Sequence, residues 1–481
     1  MLNTLPPLLL VLLPVVLASP AAVKPAAAVV PEQPLITASP AAWEATKTDK
    51  SRRGVISDLA GDVSSILGGL GSDIPSYVAS GIPNFFQGFP TGDAVKSSLG
   101  LDDSQIAALP TQVLNIPGYG NWTDQGWNLR FHGNVFKQPN INSSKLDDLA
   151  NVFLIGTSVQ SLPPSQASQA RNLTAEIFVL QQGDENVTFS LAPAPTAGSS
   201  GEPGAAAPSP PSARLNVYTQ GTDTGNATAY LVPPEGLTII SDIDDILRVT
   251  QIYEPASGLL NSFARPYTPW LNMPSIYANW SAHIPNFHFH YLTTTPEQVT
   301  RNYMDFIYKT YPGGSFDTRP LNFSDVSATL SIRKFLLEKA FQTYPRRKFV
   351  LIADTSNSDV MRDYPAMATE FPGQVQCIFL RNTSATDSGD KFPYDTSGFK
   401  GLDQKMFMFF LVPDDLTNLD IVNGQCYNSS IPQNLTFGYQ GLPFGINTGS
   451  GKKGAAPGRR AGGWWNVGGV VLLSLVFGCA L

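Results

Sequence analysis

The stretch Gly236–Thr250, GLTIISDIDDILRVT, constrains the fold of this chain more than any other. An apolar, β-branched run, Leu237, Thr238, Ile239 and Ile240, delivers three carboxylates, Asp242, Asp244 and Asp245, within four positions. A short continuous apolar run is what a strand buried on both faces requires, and such strands belong to parallel sheets. In open α/β sheets ligands gather outside the carboxyl ends of the strands, where these acids fall. Along an extended chain Asp242 and Asp244 share a face, while Asp245 points away. Like charges at this spacing repel, and a cation or a raised pKa relieves them. Taken alone, the residues satisfy two readings. In one, a carboxylate attacks phosphorus, another gives a proton to the leaving oxygen, and Mg2+ screens both. In the other, an acidic turn caps the following helix.

The chain beyond it repeats the rhythm. A long excursion over roughly 249–285 is rich in Tyr, Trp, Pro and Met, which suits an apolar substrate or membrane face and equally a hydrophobic cap packed on its own domain. Asn286–Thr294 is a second strand and 296–309 the helix behind it. Ser331–Tyr344 is helical, Arg347–Asp354 is a third strand, Asp359–Phe371 a further helix, and Val375–Leu380 with Lys405–Leu411 complete the sheet. Strand and helix in this alternation predict an α/β fold, a doubly wound parallel sheet with right-handed crossovers over residues 234–440. His288 and His290 alternate with aromatics on a strand and read as core or edge residues, since no third ligand has metal-site spacing. Arg346, Arg347 and Lys348 read as solvating the entrance of a buried strand, an anionic-lipid contact being the other use of such a cluster.

Residues 111–233 predict a smaller β-rich domain, a sandwich or barrel. Its short runs are Trp127–Lys137, Ala175–Gln181, Asn186–Leu191, Arg214–Tyr218 and Thr228–Val232, with a helix over Lys145–Leu154. A Pro/Ala/Gly/Ser segment at 193–212 interrupts it as an exposed loop.

A chain of 481 residues suits two folded units plus flexible segments. Net charge is −7 with 14% charged residues and no basic stripe, which argues against a nucleic-acid partner. Residues 1–18 resemble a secretory signal without its positive start, and 19–110 form a low-complexity leader. Within the leader, Val55, Ile56, Leu59, Val63, Ile66, Leu67 and Leu70 make an amphipathic stripe for packing or for a membrane surface, and 71–110 read as irregular. Ten N-x-S/T sequons, at Asn121, Asn142, Asn172, Asn186, Asn226, Asn279, Asn322, Asn382, Asn428 and Asn434, fit a secreted glycoprotein. Cys377 and Cys426 are the one internal pair open to an oxidising compartment, because Cys479 lies in the apolar tail. Small residues near Asn447–Gly451, a polar spacer at 441–463 and the apolar tail 464–481 match a GPI-attachment signal, a membrane-tethered tail being the alternative. The expected location is therefore the secretory pathway and the cell surface.

Polar residues recur where the strands end. Asp242 and Asp244 end the first, Thr293 and Thr294 the second, and Asp354 the third with Asp359 five residues on, while Lys334 precedes the third on a helix. This set contains what phosphoryl transfer needs: a nucleophile, hydroxyl and ammonium donors, and carboxylates for Mg2+. The order D-x-D, Thr at a strand end, Lys on a helix, then D-x4-D is similar to the haloacid dehalogenase (HAD) superfamily. The phrases LVPPEGLTIISDIDD, FHFHYLTTTP and YPRRKFVLIADTSNSD resemble, more narrowly, the catalytic domain of the fungal actin-patch phosphatidate phosphatase family, and LRFHGNVFK resembles the start of its preceding β-rich domain.

The resemblance implies a HAD-like fold and a Mg2+-dependent phosphatidate phosphatase that cleaves a lipid phosphate at a membrane surface to diacylglycerol and phosphate. Asp242 would be the nucleophile that forms an aspartyl-phosphate, and Asp244 the general acid, then base, whose backbone carbonyl also faces Mg2+. Thr293 and Lys334 would hold the phosphoryl group. Asp242, Asp244, Asp354 and Asp359 would form the metal site.

Two departures stand out. The family's first motif has Thr at its fifth position, here Ile246, so a supporting hydroxyl is missing. The family's GDSG-x-x-D is here Ala353-Asp354-Thr355-Ser356-Asn357-Ser358-Asp359, which loses two glycines and their backbone freedom. They support a second reading, a catalytically impaired surface glycoprotein that binds phospholipid or cell-wall material.

Overall fold

The computed structural model describes residues 92–182, 185–194, 212–319, 326–386, 394–433, 437 and 439–440. The signal segment, the amphipathic stripe at 55–70, most of the 193–212 loop and the C-terminal tail lie outside the described residues. All the described residues fall within one compact unit, Leu59–Leu481.

Two short helices open the described chain, α1 (Gly92–Leu99) and α2 (Asp103–Ala108). They correct the expectation of an irregular segment to residue 110: the Asp102 side chain accepts from the Gln105 amide, and the Gln105 side chain accepts from the Asp102 amide. Strands β1 (Thr111–Ile116), β2 (Tyr119–Thr123), β3 (Gly126–Leu129) and β4 (His132–Lys137) follow, then helices α3 (Ser143–Asn151) and α4 (Pro164–Ile177). Next come β5 (Leu180–Gln181), β6 (Phe189–Pro193), β7 (Ala213–Thr219) and β8 (Ala227–Val232). They build a three-stranded sheet, β1-β4-β5, and a five-stranded one, β3-β2-β8-β7-β6.

Of the strand expected over Ala175–Gln181, only Leu180 and Gln181 are paired, and residues 175–177 are the end of α4, which buries Ala167, Ala170, Leu173, Thr174 and Ile177. That spacing of three and four, started by Pro164 at the first helical turn, is a helical stripe that carries the helix through Ile177, with Phe178 and Val179 beyond it.

The central sheet begins with β9 (Leu237–Ser241), every residue of which is buried. Helices α5 (Pro255–Phe263) and α6 (Met273–His283) occupy the aromatic excursion. Then come β10 (His288–Pro296), α7 (Glu297–Thr310), β11 (Ser315–Arg319), α8 (Val326–Thr343) and β12 (Lys348–Asp354). The chain continues through α9 (Ser358–Glu370), β13 (Val375–Arg381), α10 (Thr383–Thr386), β14 (Tyr394–Asp395) and β15 (Phe407–Phe410). The strand order is β11-β10-β9-β12-β13-β15, with every neighbouring pair parallel. The chain steps outward from β9 to β11, returns to the other side of β9, and steps outward again to β15. The order thus reverses between β9 and β12, which opens a crevice at their carboxyl ends.

Both faces of this sheet are covered. On one, Ile239, Val350 and Ile352 pack with Phe263, Tyr277 and Tyr303 from α5, α6 and α7. On the other, Ile240, Leu351 and Phe349 pack with Leu337, Phe341 and Tyr364 from α8 and α9. Trp270, Met273, Tyr277 and Trp280 of the excursion are buried in the first of these cores, so that segment is a cap on its own sheet. Burial of each such side chain contributes about 1.5–3 kcal/mol. A disulfide joins Cys377 on β13 to Cys426, with Cα atoms 5.3 Å apart.

Arg347 corrects the expectation of a solvating cluster. It is fully buried and donates to the carbonyls of Pro233, Glu235, Leu237 and Asn286 and to the Thr238 hydroxyl, at 2.6–2.8 Å. Burial pulls its pKa down to about 10. Gly236 makes room for this knot: its φ is +125°, and a Cβ there would meet Asn286 O at 2.4 Å. His288 and His290 are buried, each 2.8 Å from the Ser315 hydroxyl, in keeping with core histidines.

Candidate active site

The site is built outward from the end of β9. The Asp242 amide donates to Ile352 O at 2.8 Å, which carries the parallel ladder one residue past the strand. Oδ1 of Asp242 accepts from the Ile243 amide at 3.0 Å. Oδ2 faces Arg333 Nη2 at 3.2 Å, an ion pair by distance that lacks hydrogen-bond geometry, and among the described residues this buried oxygen has no hydrogen-bond partner. Burial pushes Asp242 up to about 6 against the pull of Arg333.

The three acids of the motif separate. Asp242 and Asp244 both line one cleft, as their shared face predicts. Asp244 Oδ1 accepts from Arg248 Nε (3.1 Å), Arg248 Nη2 (2.7 Å) and Thr250 Oγ1 (2.8 Å). Asp245 turns away with φ +58° and gathers the amides of Thr250, Gln251 and Ile252 at 2.7–3.0 Å. Its carboxylate therefore pins the loop that returns Thr250 to Asp244.

Thr293, Thr294 and Thr295 line the same cleft from the end of β10, with Ile252, Arg333 and Asn357. Thr293 is buried, and its hydroxyl accepts from the Thr295 amide at 3.1 Å.

Lys334 is not brought to the cleft. It pairs with Glu370 at 2.7 Å and Glu338 at 3.7 Å on the outer side of α8. The cation beside Asp242 is its neighbour Arg333, which is 1% exposed. Consecutive helical residues lie about 100° apart, so these two cannot face one cleft. The signal was in the spacing. Arg333 shares its face with the buried Leu337 and Ala340, whereas Lys334 is four residues from Glu338.

Asp354 ends β12, buried, and its Oδ2 accepts from the Ser356 hydroxyl, the Ser356 amide (3.2 Å) and the Thr383 hydroxyl (3.0 Å). Burial, then the charges of Asp245 and Asp242, push Asp354 up to about 7. The two missing glycines cost no conformation, because the positive-φ residues include none in 353–359. Asp359, in the first turn of α9, pairs with Arg333 Nε at 3.1 Å. Arg333 thus bridges Asp242 and Asp359. Asn357, with its amide oriented to satisfy both neighbours, donates to Asp359 at 2.8 Å and accepts from Arg333 at 3.1 Å.

Among the described residues no group of three His, Cys, Asp or Glu side chains is arranged to hold a metal ion. Of the four carboxylates expected to do so, Asp244 is committed to Arg248 and Asp359 to Arg333. Asp242 and Asp354 remain. Burial raises the pKa of both, the charge of Asp242 adds to the rise at Asp354, and among the described residues one Asp242 oxygen lacks a hydrogen bond. This smaller donor set fits a divalent cation in charge and in ligand type.

Residues 237–382 match a family model described as phosphatidate phosphatase APP1, catalytic domain. Phosphatidate phosphatase APP1 of Saccharomyces cerevisiae (strain ATCC 204508 / S288c) is 26% identical to this chain over 160 residues, 32% of this chain and 27% of that protein. The aligned part thus spans about a quarter of the relative's length. The matched family region runs from β9 to the residue after β13, so every cleft residue named above falls inside it.

Proposed function

We propose that this chain, whose residues 237–382 match the model of the phosphatidate phosphatase APP1 catalytic domain, is a phosphomonoesterase acting on phosphatidate or a related lipid phosphate. The observation that carries this reading is Arg333, held between Asp242 and Asp359 in a threonine-lined cleft at the carboxyl ends of parallel strands. The strand order supports a HAD-like, doubly wound assignment for the central sheet.

In this reading an Asp242 oxygen attacks phosphorus, and the bond from phosphorus to the lipid oxygen breaks. The departing oxygen takes a proton from Asp244. Water then attacks the aspartyl-phosphate, giving its proton to Asp244, and phosphate leaves with Asp242 regenerated. Arg333 and the Thr293 hydroxyl hold the phosphoryl oxygens, Arg333 taking the part that the sequence assigned to Lys334. Asp242 and Asp354 would hold Mg2+, with the Asp244 carbonyl facing it. When bound, the ion would offset the charge of the two acids and of the phosphoryl group.

The substrate class implies work at a membrane surface, and the signal-like start, the sequons and the tail support a secreted or GPI-anchored glycoprotein. The second reading, an impaired binder, draws on Ile246 and the altered last motif. Against it, hydroxyls from Thr250, Ser356 and Thr383 hold the acids that the missing residues would serve.

Phosphate release from phosphatidate vesicles with Mg2+ tests the proposal, beside Asp242→Asn and Asp354→Asn. Turnover by the wild type and a loss of at least ~100-fold in both variants is the expected result. No turnover with intact vesicle binding would leave the binder reading standing, and turnover in all three proteins would refute the site.

A further inference from the structure

Three donors converge on a single oxygen of Asp244. Arg248 presents both Nε and Nη2 to Oδ1, and Thr250 adds its hydroxyl to the same atom. An arginine that merely neutralises a buried acid favours the fork-to-fork arrangement, with one N–H on each carboxylate oxygen. Here both N–H groups take the same oxygen. Among the described residues no donor reaches Oδ2, and Asp244 lines the cleft.

The clamp is itself held firmly. The Arg248 guanidinium lies 4.5 Å from the ring centre of Tyr303 and 5.2 Å from that of Tyr267, and Nη2 is 3.3 Å from the Ser262 hydroxyl. The Thr250 amide is bound by Asp245 and its carbonyl by Asn261, so the hydroxyl is fixed at both ends of its residue. Meanwhile Ile246, where the related motif carries a hydroxyl, is fully buried in the apolar core.

We propose that Thr250 and Arg248 are positioning residues for Asp244: by fixing Oδ1 they leave Oδ2 as the oxygen that gives the proton to the departing alkoxide and takes one from the attacking water. Thr250 thereby supplies, from four residues further on, the hydroxyl that Ile246 lacks. The inference rests on the phosphatase reading above.

Leaving groups separate this role from a structural one. An alkoxide needs a proton as it departs, whereas 4-nitrophenolate leaves readily without one, so disturbing the acid slows the first substrate selectively. The full chain is assayed for kcat/KM, which reports the steps up to departure of the leaving group and not the later hydrolysis of the aspartyl-phosphate, with dioctanoyl phosphatidate and with 4-nitrophenyl phosphate, as wild type, Thr250→Val, Thr250→Ser, Arg248→Lys and Asp244→Asn. Asp244→Asn sets the scale, with a loss of at least ~100-fold on the alkyl ester and a much smaller one on the aryl ester. Thr250→Val and Arg248→Lys show the same selectivity, about 10-fold on the alkyl ester and within about 2-fold on the aryl ester. That 10-fold loss corresponds to about 1.4 kcal/mol, the scale of one hydrogen bond. Thr250→Ser, which keeps the hydroxyl, recovers the wild-type ratio of the two rates. Equal losses on both esters in Thr250→Val and Arg248→Lys, or none, overturn the proposal while leaving the phosphatase reading intact. A wild type inactive on both esters refutes that reading instead.

Discussion

Arg333 Nη2 stands 3.2 Å from Asp242 Oδ2, so the cation of the cleft already occupies the oxygen side from which the proposed nucleophile attacks. A phosphoryl group entering the cleft would bring negative charge to the same guanidinium.

Replacing Arg333 and replacing Lys334 should therefore differ sharply. Arg333→Lys keeps the charge but loses the planar fork that spans Asp242 and Asp359, and kcat/KM should fall about 100-fold. Lys334→Ala removes only partly exposed ion pairs and should stay within about 2-fold, with stability changed by about 0.5 kcal/mol or less. Phosphate-release kinetics on both variants check this.

Arg347 should behave as a stability residue. Its five acceptors are carbonyls and a hydroxyl, and each one left buried without a donor costs about 1–3 kcal/mol. Arg347→Met should therefore lose about 4 kcal/mol or more in urea unfolding. Arg347→Lys should recover little of it, because a single ammonium cannot reach five acceptors spread over two chain segments.

The two raised acids give a signed pH dependence. Asp242 rises to about 6 and Asp354 to about 7, from an ordinary 3.8. Folding then favours the protonated form, so this contribution to stability is fully present below pH 3.8 and is lost as pH climbs through 6 to 7. Metal-free protein should lose thermal stability over that window. Asp354→Asn should flatten the slope and match or exceed the wild type above pH 7. Adding Mg2+ at pH 7.5 should raise the melting temperature of the wild type and leave Asp354→Asn unmoved.

Reducing the Cys377–Cys426 bond should cost stability without touching the cleft. The bond closes 49 residues of chain, and the chain-entropy account values a loop of that length at about 4 kcal/mol. Cys426→Ser, compared by urea unfolding with the wild type under oxidising conditions, checks the magnitude.

The parallel strands were legible because burial on both faces writes itself as an unbroken apolar run, as in Leu237–Ile240 and Phe349–Ile352. β11 was not, because Ser315–Arg319 reads SFDTR and is buried through hydrogen bonds and ion pairs instead of apolar surface. Ser315 serves two histidines and Asp317 meets Lys339 and Arg130, partners that lie as far apart in sequence as positions 130 and 339. Helix α4 was missed because the first half of its buried stripe is only Ala167 and Ala170 among polar residues. Asp242, Thr293 and Asp354 were legible because they end recognisable strands. Arg333 escaped because its role depends on which way α8 is turned, and Thr250 because its partner is set by a loop that Asp245 folds back.

Asp242 and Asp354 are 112 positions apart in the chain, yet they leave neighbouring strands whose register pairs Ser241 with Ile352. Their separation is therefore set by the spacing between strands and not by anything in the sequence between them. Loops and whole helices joining β9 to β12 can lengthen, shorten or be exchanged while the two acids keep their distance. The cap and the entrance of the cleft can thus be rebuilt on a fixed pair of carboxylates.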